Sequence, residues 1–370
     1  MKKTLKNIYW GFLCLFFLLS CHQQKEAYPS RLPDYPISKG VSAPFAGFIG
    51  DWMVVAGGCN FPDVPAAEGG KKVYYREVYA LNTADTASRW VHVADLPFPV
   101  AYGAMAETEQ GLVCMGGMNS DSAMTAVYRI EKIAEKDSFA IRCLPSLPAS
   151  IDNGAAAHSQ GKIYLTGGNQ NEHGRRLYAL TVGSEEEEGW KQLADYPGNM
   201  RVQPVLLAQD SALYLCGGFE ALRPDSCILS VDMLRYDVAR NEWKQGSDFP
   251  NTSSGEQRCL VGGSGVATSK HLILTGGVNY RIFKDALEGR APEDYMKKSP
   301  EWYRFNRDIL VYSSEQGTWQ VLDGTEAAAR AGGVLLQKDG LLYMVCGEIK
   351  PGVRSAEVNV IPGGNELLIR

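Results

Sequence analysis

The sequence lacks the residue clusters that mark most metal and nucleotide sites. No two of its five histidines have a metal-ligand spacing such as H-x-x-x-H, and it contains no C-x-x-C, no G-x-S-x-G and no Walker-type loop. We expect each histidine at the surface or in a turn. These absences argue against a zinc or copper enzyme, and we expect neither a metal nor a cofactor.

The net charge of the chain gives no indication of a nucleic-acid partner. The formal net charge is −5 at pH 7, whereas nucleic-acid binding usually requires a basic patch or stripe. We expect no nucleic-acid partner. Apolar residues make up 45% of the 370-residue chain, which is ordinary for a folded globular protein.

The cysteines are few, and their spacing does not indicate a set of disulfide pairs. Nine are present, and seven remain beyond the N-terminal segment that holds Cys14 and Cys21, so at least one of the seven has no partner within the chain. Cys114, Cys216 and Cys346 lie in apolar runs. We predict that these three are buried free thiols in strands.

The N-terminal segment has the pattern of an export signal. Lysines at positions 2, 3 and 6 precede an apolar run over residues 8–19, which is too short to span a bilayer comfortably. The following L-L-S-C resembles a bacterial lipobox, and the alternative is a plain signal peptide with a chance cysteine. We predict a signal peptide over 1–21, lipidation of Cys21 and a polar tether over 22–31. The protein would then be exported and membrane-anchored in the bacterial cell envelope, periplasmic or at the outer membrane.

An internal repeat organises the rest of the chain. Five segments carry an apolar strand followed by Gly-Gly, and a sixth segment, L-Y-M-V-C-G-E, places Gly347-Glu348 at its end. The first glycines of the pairs are Gly57, Gly116, Gly167, Gly217 and Gly276. After most pairs a second strand ends in tyrosine, and a tryptophan and a proline-marked turn follow. This pattern resembles the kelch repeat, whose period near 50 residues implies one four-stranded blade per copy.

Six copies predict an all-β fold, a six-bladed kelch β-propeller over residues 32–370. The last copy lacks a tryptophan-bearing fourth strand, while residues 32–36 carry the turn that elsewhere follows such a strand. We therefore expect residues near 28–34 to complete the last blade. The longest spacing, 71 residues between Gly276 and Gly347, holds a charged segment over 280–308. We predict one or two short helices there, as either a wall of the central funnel or a decorative loop.

The sixth copy gives up a repeat glycine for Glu348, and Arg354 follows after Lys350-Pro351-Gly352. A tight turn there would bring the two side chains to one rim of the funnel. A partly desolvated carboxylate has a raised pKa and can act as general base and acid, and an arginine fork suits a carboxylate ligand. A plain Glu–Arg salt bridge fits the spacing equally well.

The stretch G-E-I-K-P-G-V-R-S resembles the signature segment of bacterial N-acetylneuraminate epimerases, the kelch-type sialate mutarotases. T-G-G-V-N-Y-R-I-F and A-P-F-A-G-F are also similar to segments of that family, in an order that implies its cyclically permuted branch. The resemblance implies a mutarotase that interconverts the α and β anomers of N-acetylneuraminate without a cofactor. It assigns Glu348 as the acid–base group and Arg354 as the anchor of the sugar's carboxylate.

Three further residues are candidates for binding the substrate. Arg201 in G-N-M-R-V-Q is a loose match to a family arginine, and Arg330 and Asn153 are chosen by their positions in the repeat. The alternative function is a non-catalytic kelch propeller that binds a glycan or a protein partner, because the fold alone does not fix function.

Overall fold

The computed structural model describes residues 30–133, 138–170, 174–183 and 189–361. The predicted signal peptide, the lipidation site Cys21 and all but the last two residues of the predicted tether lie outside the described residues. So do residues 362–370 of the predicted propeller. Within the described ranges, no helix is long and apolar enough to cross a membrane.

Six four-stranded antiparallel sheets form the molecule, which confirms the predicted six-bladed β-propeller. The first and second blades comprise Phe45–Ile49, Trp52–Ala56, Glu77–Asn82, Val91–Asp95, Ala104–Thr108, Gly111–Met115, Val127–Lys132 and Phe139–Cys143. The third and fourth comprise Asp152–Ser159, Lys162–Asn169, Tyr178–Thr181, Lys191–Gln192, Val205–Gln209, Ala212–Cys216, Asp232–Asp237 and Glu242–Asp248. The fifth and sixth comprise Gly263–Ala267, His271–Gly276, Ile309–Ser313, Thr318–Leu322, Val334–Lys338, Leu341–Val345, Val358–Ile361 and Arg31–Leu32.

The hydrophobic core lies between the blades. One cluster of buried side chains fills each of the six gaps between neighbouring sheets. The second strands are the most buried, since they are covered on both faces. Met53 and Val54, for example, are both 0% exposed and belong to the clusters on opposite sides of the first blade. Burial on both faces explains why the second strands read as continuous apolar runs.

A ring of six backbone hydrogen bonds closes around the propeller axis. At the start of each innermost strand, one residue has a positive φ and donates its N–H to the carbonyl of its counterpart in a neighbouring blade, over 2.7 to 3.4 Å. The ring consists of Ala43, Tyr102, Asn153, Gln203, Gly262 and Gly332. It fixes the spacing of the blades at the mouth of the funnel.

The glycine pairs lie where each second strand turns away beside the next blade. At Gly116, whose φ is +60°, an added Cβ would lie 2.2 Å from the carbonyl oxygen of Ile151 in the next blade. A side chain there would be both strained and obstructed. The backbones of neighbouring blades therefore approach closely at this glycine.

The N-terminal strand completes the sixth blade as predicted. Arg31–Leu32 pairs with Asn359 and Val358, so the first and last parts of the chain share one sheet. The Nε1 of Trp90 donates to the carbonyl of Pro33 at 2.8 Å. Trp190 and Trp243 likewise donate to carbonyls of the preceding blade at 2.9 Å, and Trp319 donates to the hydroxyl oxygen of Ser247 in the preceding blade at 2.8 Å.

The segment 280–308 is inserted between the second and third strands of the fifth blade, as expected. It contains α1 (Tyr280–Leu287), a 3-10 turn at Tyr295–Lys297 and α2 (Pro300–Tyr303). Asn279 caps α1 by accepting a hydrogen bond from the N–H of Ile282 at 3.1 Å. One face of α1 packs against the hairpin formed by Phe219–Arg223 and Ser226–Leu229.

All seven described cysteines are free thiols. The prediction of buried thiols is confirmed for Cys114, Cys216 and Cys346, each of which is at most 1% exposed.

Candidate active site

A cavity of about 760 Å³ runs along the propeller axis. The innermost strands form its sides, and the insertion of the fifth blade forms one wall of its mouth through Ile282, Phe283, Tyr295 and Tyr303. The segment 280–308 is therefore a wall of the funnel rather than a decorative loop. His158, expected at the surface or in a turn, lines the cavity instead.

Glu348 lines this cavity at its mouth, one position away from where the repeat alignment puts it. The positive-φ pair of the sixth blade is Cys346 (φ +55°) and Gly347 (φ +93°), matching Gly57 (+65°) and Gly58 (+93°) of the first blade. The glycine that this blade gives up is thus replaced by Cys346. The expectation that Glu348 replaces a glycine is wrong.

Glu348 instead occupies the position directly after the pair. Its N–H donates to the carbonyl of Ala331 at 2.7 Å, just as the N–H of Cys59 donates to Ser42 at 3.1 Å. The residues at this position in the first to fifth blades are Cys59, Met118, Asn169, Phe219 and Val278. Glu348 is the single acid among the six, so the sixth blade still differs from the others by a carboxylate at this position.

A short hairpin brings Glu348 and Arg354 together. Its strands are Glu348–Lys350 and Val353–Arg354, with Pro351-Gly352 at the turn, and Glu348 pairs directly with Arg354. The Nη2 of Arg354 lies 2.7 Å from Oε1 of Glu348. The predicted proximity of the two side chains is therefore present.

Neighbouring blades hold this hairpin in place. Lys350 donates through Nζ to the carbonyl of Lys298 in the insertion at 2.6 Å. On the other side, a Cβ added to Gly352 would lie 2.5 Å from Cβ of Ala66 in the first blade. The hairpin is thus wedged between the fifth and first blades, which fixes where the carboxylate points.

Burial and two cations set the protonation of Glu348. Desolvation raises the pKa of the Glu348 carboxyl above its ordinary value, and the charges of Arg354 and Lys72 oppose that rise. The carboxyl side chain keeps 19% of its surface exposed. A carboxylate with a raised pKa and open access to a cavity is suited to accept and return a proton.

Arg354 lies behind Glu348 and not at the cavity surface. Its side chain is 2% exposed, and its guanidinium carbon lies 4.7 Å from the centroid of the Phe61 ring. Nη2 is bound to Glu348, while Nε and Nη1 have no hydrogen-bond partner among the described residues. In this geometry Arg354 is paired with Glu348 and does not reach the cavity surface, where the predicted contact with a substrate carboxylate would have to form.

Arg201 and Arg330 are also occupied elsewhere. Arg201 is bound to Asp232 at 2.7 Å and to the carbonyl of Gly217 at 3.1 Å. Arg330 is bound to Glu357 at 2.7 Å. Both guanidinium groups are buried and tie backbone segments within the blades, and neither contributes to the cavity lining. The structure does not bring these two predicted residues to Glu348.

Asn153 does line the cavity, in the ring around the axis. Its Oδ1 accepts a hydrogen bond from Nε2 of Gln203 at 2.9 Å, and its Nδ2 donates to Asp152 at 2.6 Å. These bonds orient the amide at the funnel mouth.

Sequence reasoning missed three residues close to Glu348. The charge of Lys72 lowers the pKa of Glu348, and Lys72 donates through Nζ to Oη of Tyr102 at 3.0 Å. Tyr295 lines the cavity, and its pKa is raised to about 12 by burial and by the neighbouring Tyr303 and Glu348. Tyr102 could have been found by aligning the ring positions, but Lys72 lies in a loop with no repeat signal.

The side of the cavity beneath α1 is apolar. Phe219, Ile282, Phe283, Ala286 and Leu287 line it, and the rings of Phe219 and Phe283 meet edge to face at 5.4 Å. The cavity therefore combines a polar, charged part around Glu348 with an apolar part under the insertion. Among the described residues no group of histidine, cysteine and acidic side chains is arranged to hold a metal ion.

Comparison with known proteins assigns the chain to a family. The family N-acetylneuraminate epimerase matches residues 144–367, more than half of the chain. N-acetylneuraminate epimerase of Haemophilus influenzae strain PittEE is 31% identical over 227 residues, covering 58% of each chain. The Yersinia enterocolitica serotype O:8 epimerase is 28% identical over 229 residues, covering 58% of this chain and 56% of the relative. The chain thus spans less than two thirds of the length of these relatives.

The fold is also found among solved structures. The structure of YjhT matches with a TM-score of 0.62 and 16% identity, over 88% of this chain and 95% of that chain. This likeness supports the propeller. The family match contains Glu348, Arg354 and the insertion 280–308, whereas Lys72 and Tyr102 lie outside it. Since the match extends over more than half of the sequence, this chain belongs to the N-acetylneuraminate epimerase family.

Proposed function

We propose that the protein is a mutarotase that interconverts the α and β anomers of N-acetylneuraminate, with Glu348 as the acid–base group. The observation that carries this proposal is the cavity-facing carboxylate of Glu348, ion-paired at 2.7 Å to the buried Arg354 inside the segment that matches the epimerase family. Burial raises the pKa of Glu348, which suits a group that must both accept and return a proton.

The reaction needs one proton removed and one supplied. Glu348 takes the proton of the anomeric 2-hydroxyl, the bond between C2 and the ring oxygen breaks, and the ring oxygen gains a proton. The open keto form then closes on the opposite face of C2. No net oxidation or hydrolysis occurs, so these residues require no cofactor for this sequence of steps.

Each part of the cavity has a role in holding the sugar acid. Lys72 lies beside the cavity lining, where its Nζ donates to Oη of Tyr102, and it is more exposed than Arg354, so we assign it to the C1 carboxylate in place of Arg354. Asn153 and Gln203 offer amide groups to hydroxyls. The apolar side under α1 suits the methyl of the N-acetyl group.

The test is anomer equilibration followed by NMR, starting from freshly released α-N-acetylneuraminate. We expect the wild-type protein to accelerate equilibration and Glu348→Gln to lower kcat about 10²- to 10⁴-fold, the usual contribution of general acid–base catalysis. Glu315→Gln, the same change at an exposed position outside the cavity, should keep wild-type activity. A wild-type rate equal to that of buffer would contradict the proposal and favour the non-catalytic glycan- or protein-binding propeller.

We also propose that the protein is exported and anchored by a lipid on Cys21, on the strength of the L-L-S-C segment. A bacterium expressing the full chain and fed labelled palmitate should label the wild type in the membrane fraction. Cys21→Ser should lose both the label and the membrane association. An unlabelled wild type in the soluble fraction would refute lipidation.

A further inference from the structure

The proposed anomerisation leaves the donor of the second proton unassigned, and the inference drawn here rests on that proposed function. The donor must share a cavity with Glu348, so that one group deprotonates the 2-hydroxyl while the other protonates the ring oxygen. Glu107, His158 and the tyrosines are the other groups lining the cavity that can give up a proton. Glu107 and His158 end innermost strands, at the far end of the cavity from Glu348.

Tyr102 lies in the axial ring and lines the cavity at the same end as Glu348. Its φ is +60°, an unusual conformation for an aromatic residue, whereas the corresponding positions in the first, fifth and sixth blades hold Ala43, Gly262 and Gly332. The axial ring of backbone hydrogen bonds thus holds a tyrosine with a strained backbone at the start of the second blade. Such strain is typical of functional positions.

The hydrogen bonds around Tyr102 leave its hydrogen for the cavity. Lys72 donates to Oη at 3.0 Å, and an ammonium group cannot accept a hydrogen bond in return. Among the described residues the other partner of Oη is Cys59, whose thiol donates to it at 3.4 Å, so that bond does not use the phenol hydrogen either. A sugar oxygen in the cavity is a better acceptor for the phenol hydrogen than either neighbour.

The surroundings of Tyr102 hold its proton until a positive charge assists its release. Burial, with added contributions from Cys59 and Glu348, raises the pKa of the Tyr102 phenol, and the charge of Arg354 opposes that rise. Lys72 bonds directly to the same oxygen and would stabilise the phenolate that forms when the proton leaves. The proton donor Tyr102 and the cation Lys72 that would stabilise its phenolate are therefore in direct contact.

We propose that Tyr102 is the second proton-transfer group, protonating the ring oxygen while Glu348 deprotonates the 2-hydroxyl. The O–H electrons form the carbonyl at C2, the pair of the breaking bond passes to the ring oxygen, and that oxygen takes the phenol hydrogen. When the ring closes, the phenolate recovers its proton from the attacking hydroxyl and protonated Glu348 returns its own to the carbonyl oxygen. Both groups end each turnover in their starting states.

The experiment compares Tyr102→Phe with Tyr128→Phe, which removes the same atom from a tyrosine of the same blade outside the cavity. We expect Tyr102→Phe to lower kcat about 10²-fold with KM little changed, and Tyr128→Phe to match the wild type. Site-specific fluorotyrosines at position 102 keep the hydroxyl and grade its acidity. We expect them to restore activity and to make kcat vary with the acidity of the phenol.

Two results would overturn the assignment. One is a Tyr102→Phe protein with wild-type kcat while Glu348→Gln is inactive, which leaves the proposed function intact. The other is a set of folded fluorotyrosine proteins whose kcat does not vary with phenol acidity, which would reduce Tyr102 to a structural role. If the wild type itself does not catalyse anomerisation, the proposed function fails, and the role of Tyr102 fails with it.

Discussion

Arg354 forms an ion pair with Glu348, although its Nε and Nη1 are buried without a hydrogen-bond partner among the described residues. A buried cation held this way is costly to leave unpaired, so Glu348 and Arg354 depend on each other for position and charge. The electrostatic consequence has a definite sign. The positive charge of Arg354 lowers the pKa of Glu348 against the larger effect of burial.

Arg354→Gln should therefore raise the pKa of Glu348 further. Because the proposed base is the carboxylate, activity is lost as pH falls through that pKa, and the acid limb of kcat/KM should move to higher pH. We expect kcat/KM at neutral pH to fall roughly 10- to 10²-fold, since the carboxylate is also less well positioned. The measurement is a pH profile of anomer equilibration.

Arg354→Lys is the matched control, because it keeps a charge but loses the planar fork. Its acid limb should stay closer to that of the wild type while kcat/KM still falls. An acid limb that does not move in Arg354→Gln would show that Arg354 does not set the protonation of Glu348.

For single residues, the sequence identified Glu348 as exceptional but did not predict the positions of the candidate side chains in the fold. The break in the repeat led to Glu348, but the sequence alignment was one residue out of register and placed the missing glycine at Glu348 instead of Cys346. Cys346 adopts a positive φ, which cannot be predicted from the residue type because cysteine rarely has this conformation. Arg201 and Arg330 were chosen by position, and only the folded chain reveals that acids within the blades hold them.

The hairpin Glu348–Arg354 is the element that carries the site, and its position depends on one glycine. Gly352 has a φ of +80°, and a Cβ added there would lie 2.5 Å from Cβ of Ala66. Since Ala66 belongs to a short 3-10 helix, it cannot rotate away. Any larger residue at 352 must push the hairpin, and with it the carboxylate, out of place.

We expect Gly352→Ala to destabilise the protein by about 1–3 kcal/mol or more, combining strained backbone with contact. It should also lower kcat/KM about 10²-fold through displacement of Glu348. Gly289→Ala is the matched control: its φ is +71°, but an added Cβ meets nothing within 4 Å. Urea unfolding and anomer equilibration measure the two effects, and equal activity in both variants would contradict the role of the wedge.

The insertion 280–308 was visible at this scale as a long spacing rich in helix formers. Its existence, its helical content and its place in the fifth blade followed from the sequence. Which surface it covers did not, because α1 could have packed its apolar face on any neighbouring loop. The contact with the hairpin of the fourth blade, through Phe219 and Phe283, turns that face toward the cavity.

Over the whole molecule, the two halves of the candidate site come from distant parts of the chain. Glu348 and Arg354 belong to the sixth blade, whereas Lys72 and Tyr102 belong to the first and second. A cyclic permutation would produce a partial collinear match of the kind seen with the relatives, since a linear alignment follows only one side of the break. The permuted blade order stays a prediction.

The fold itself was predictable because each blade repeats one sequence pattern, but the contacts between blades follow no such pattern.

Closure of the ring is what brings those halves together. The chain is continuous between all neighbouring blades, and the noncovalent closure, here called the seam, lies inside the sixth blade, where Arg31–Leu32 pairs with Val358–Ile361. Arg31–Leu32 pairs with the last described strand, Trp90 donates to Pro33, and the buried Tyr35 ring meets Tyr79 and Trp90 edge to face at 5.5 and 5.6 Å. Losing this seam should loosen both ends at once.

A chain that begins at Ser38 should therefore be less stable than one that begins at Ser30, by about 3–5 kcal/mol for the lost Tyr35 ring alone. Hydrogen exchange should speed up first at Val358–Ile361, whose outer neighbour is gone. Anomer equilibration should slow because Lys72 and Glu348 belong to the first and sixth blades, which this strand links. Phe98→Ala, which removes an aromatic ring that is 57% exposed, is the control and should leave the urea midpoint nearly unchanged. Equal urea midpoints for the two truncated chains would mean that the remaining blade contacts close the propeller without this strand.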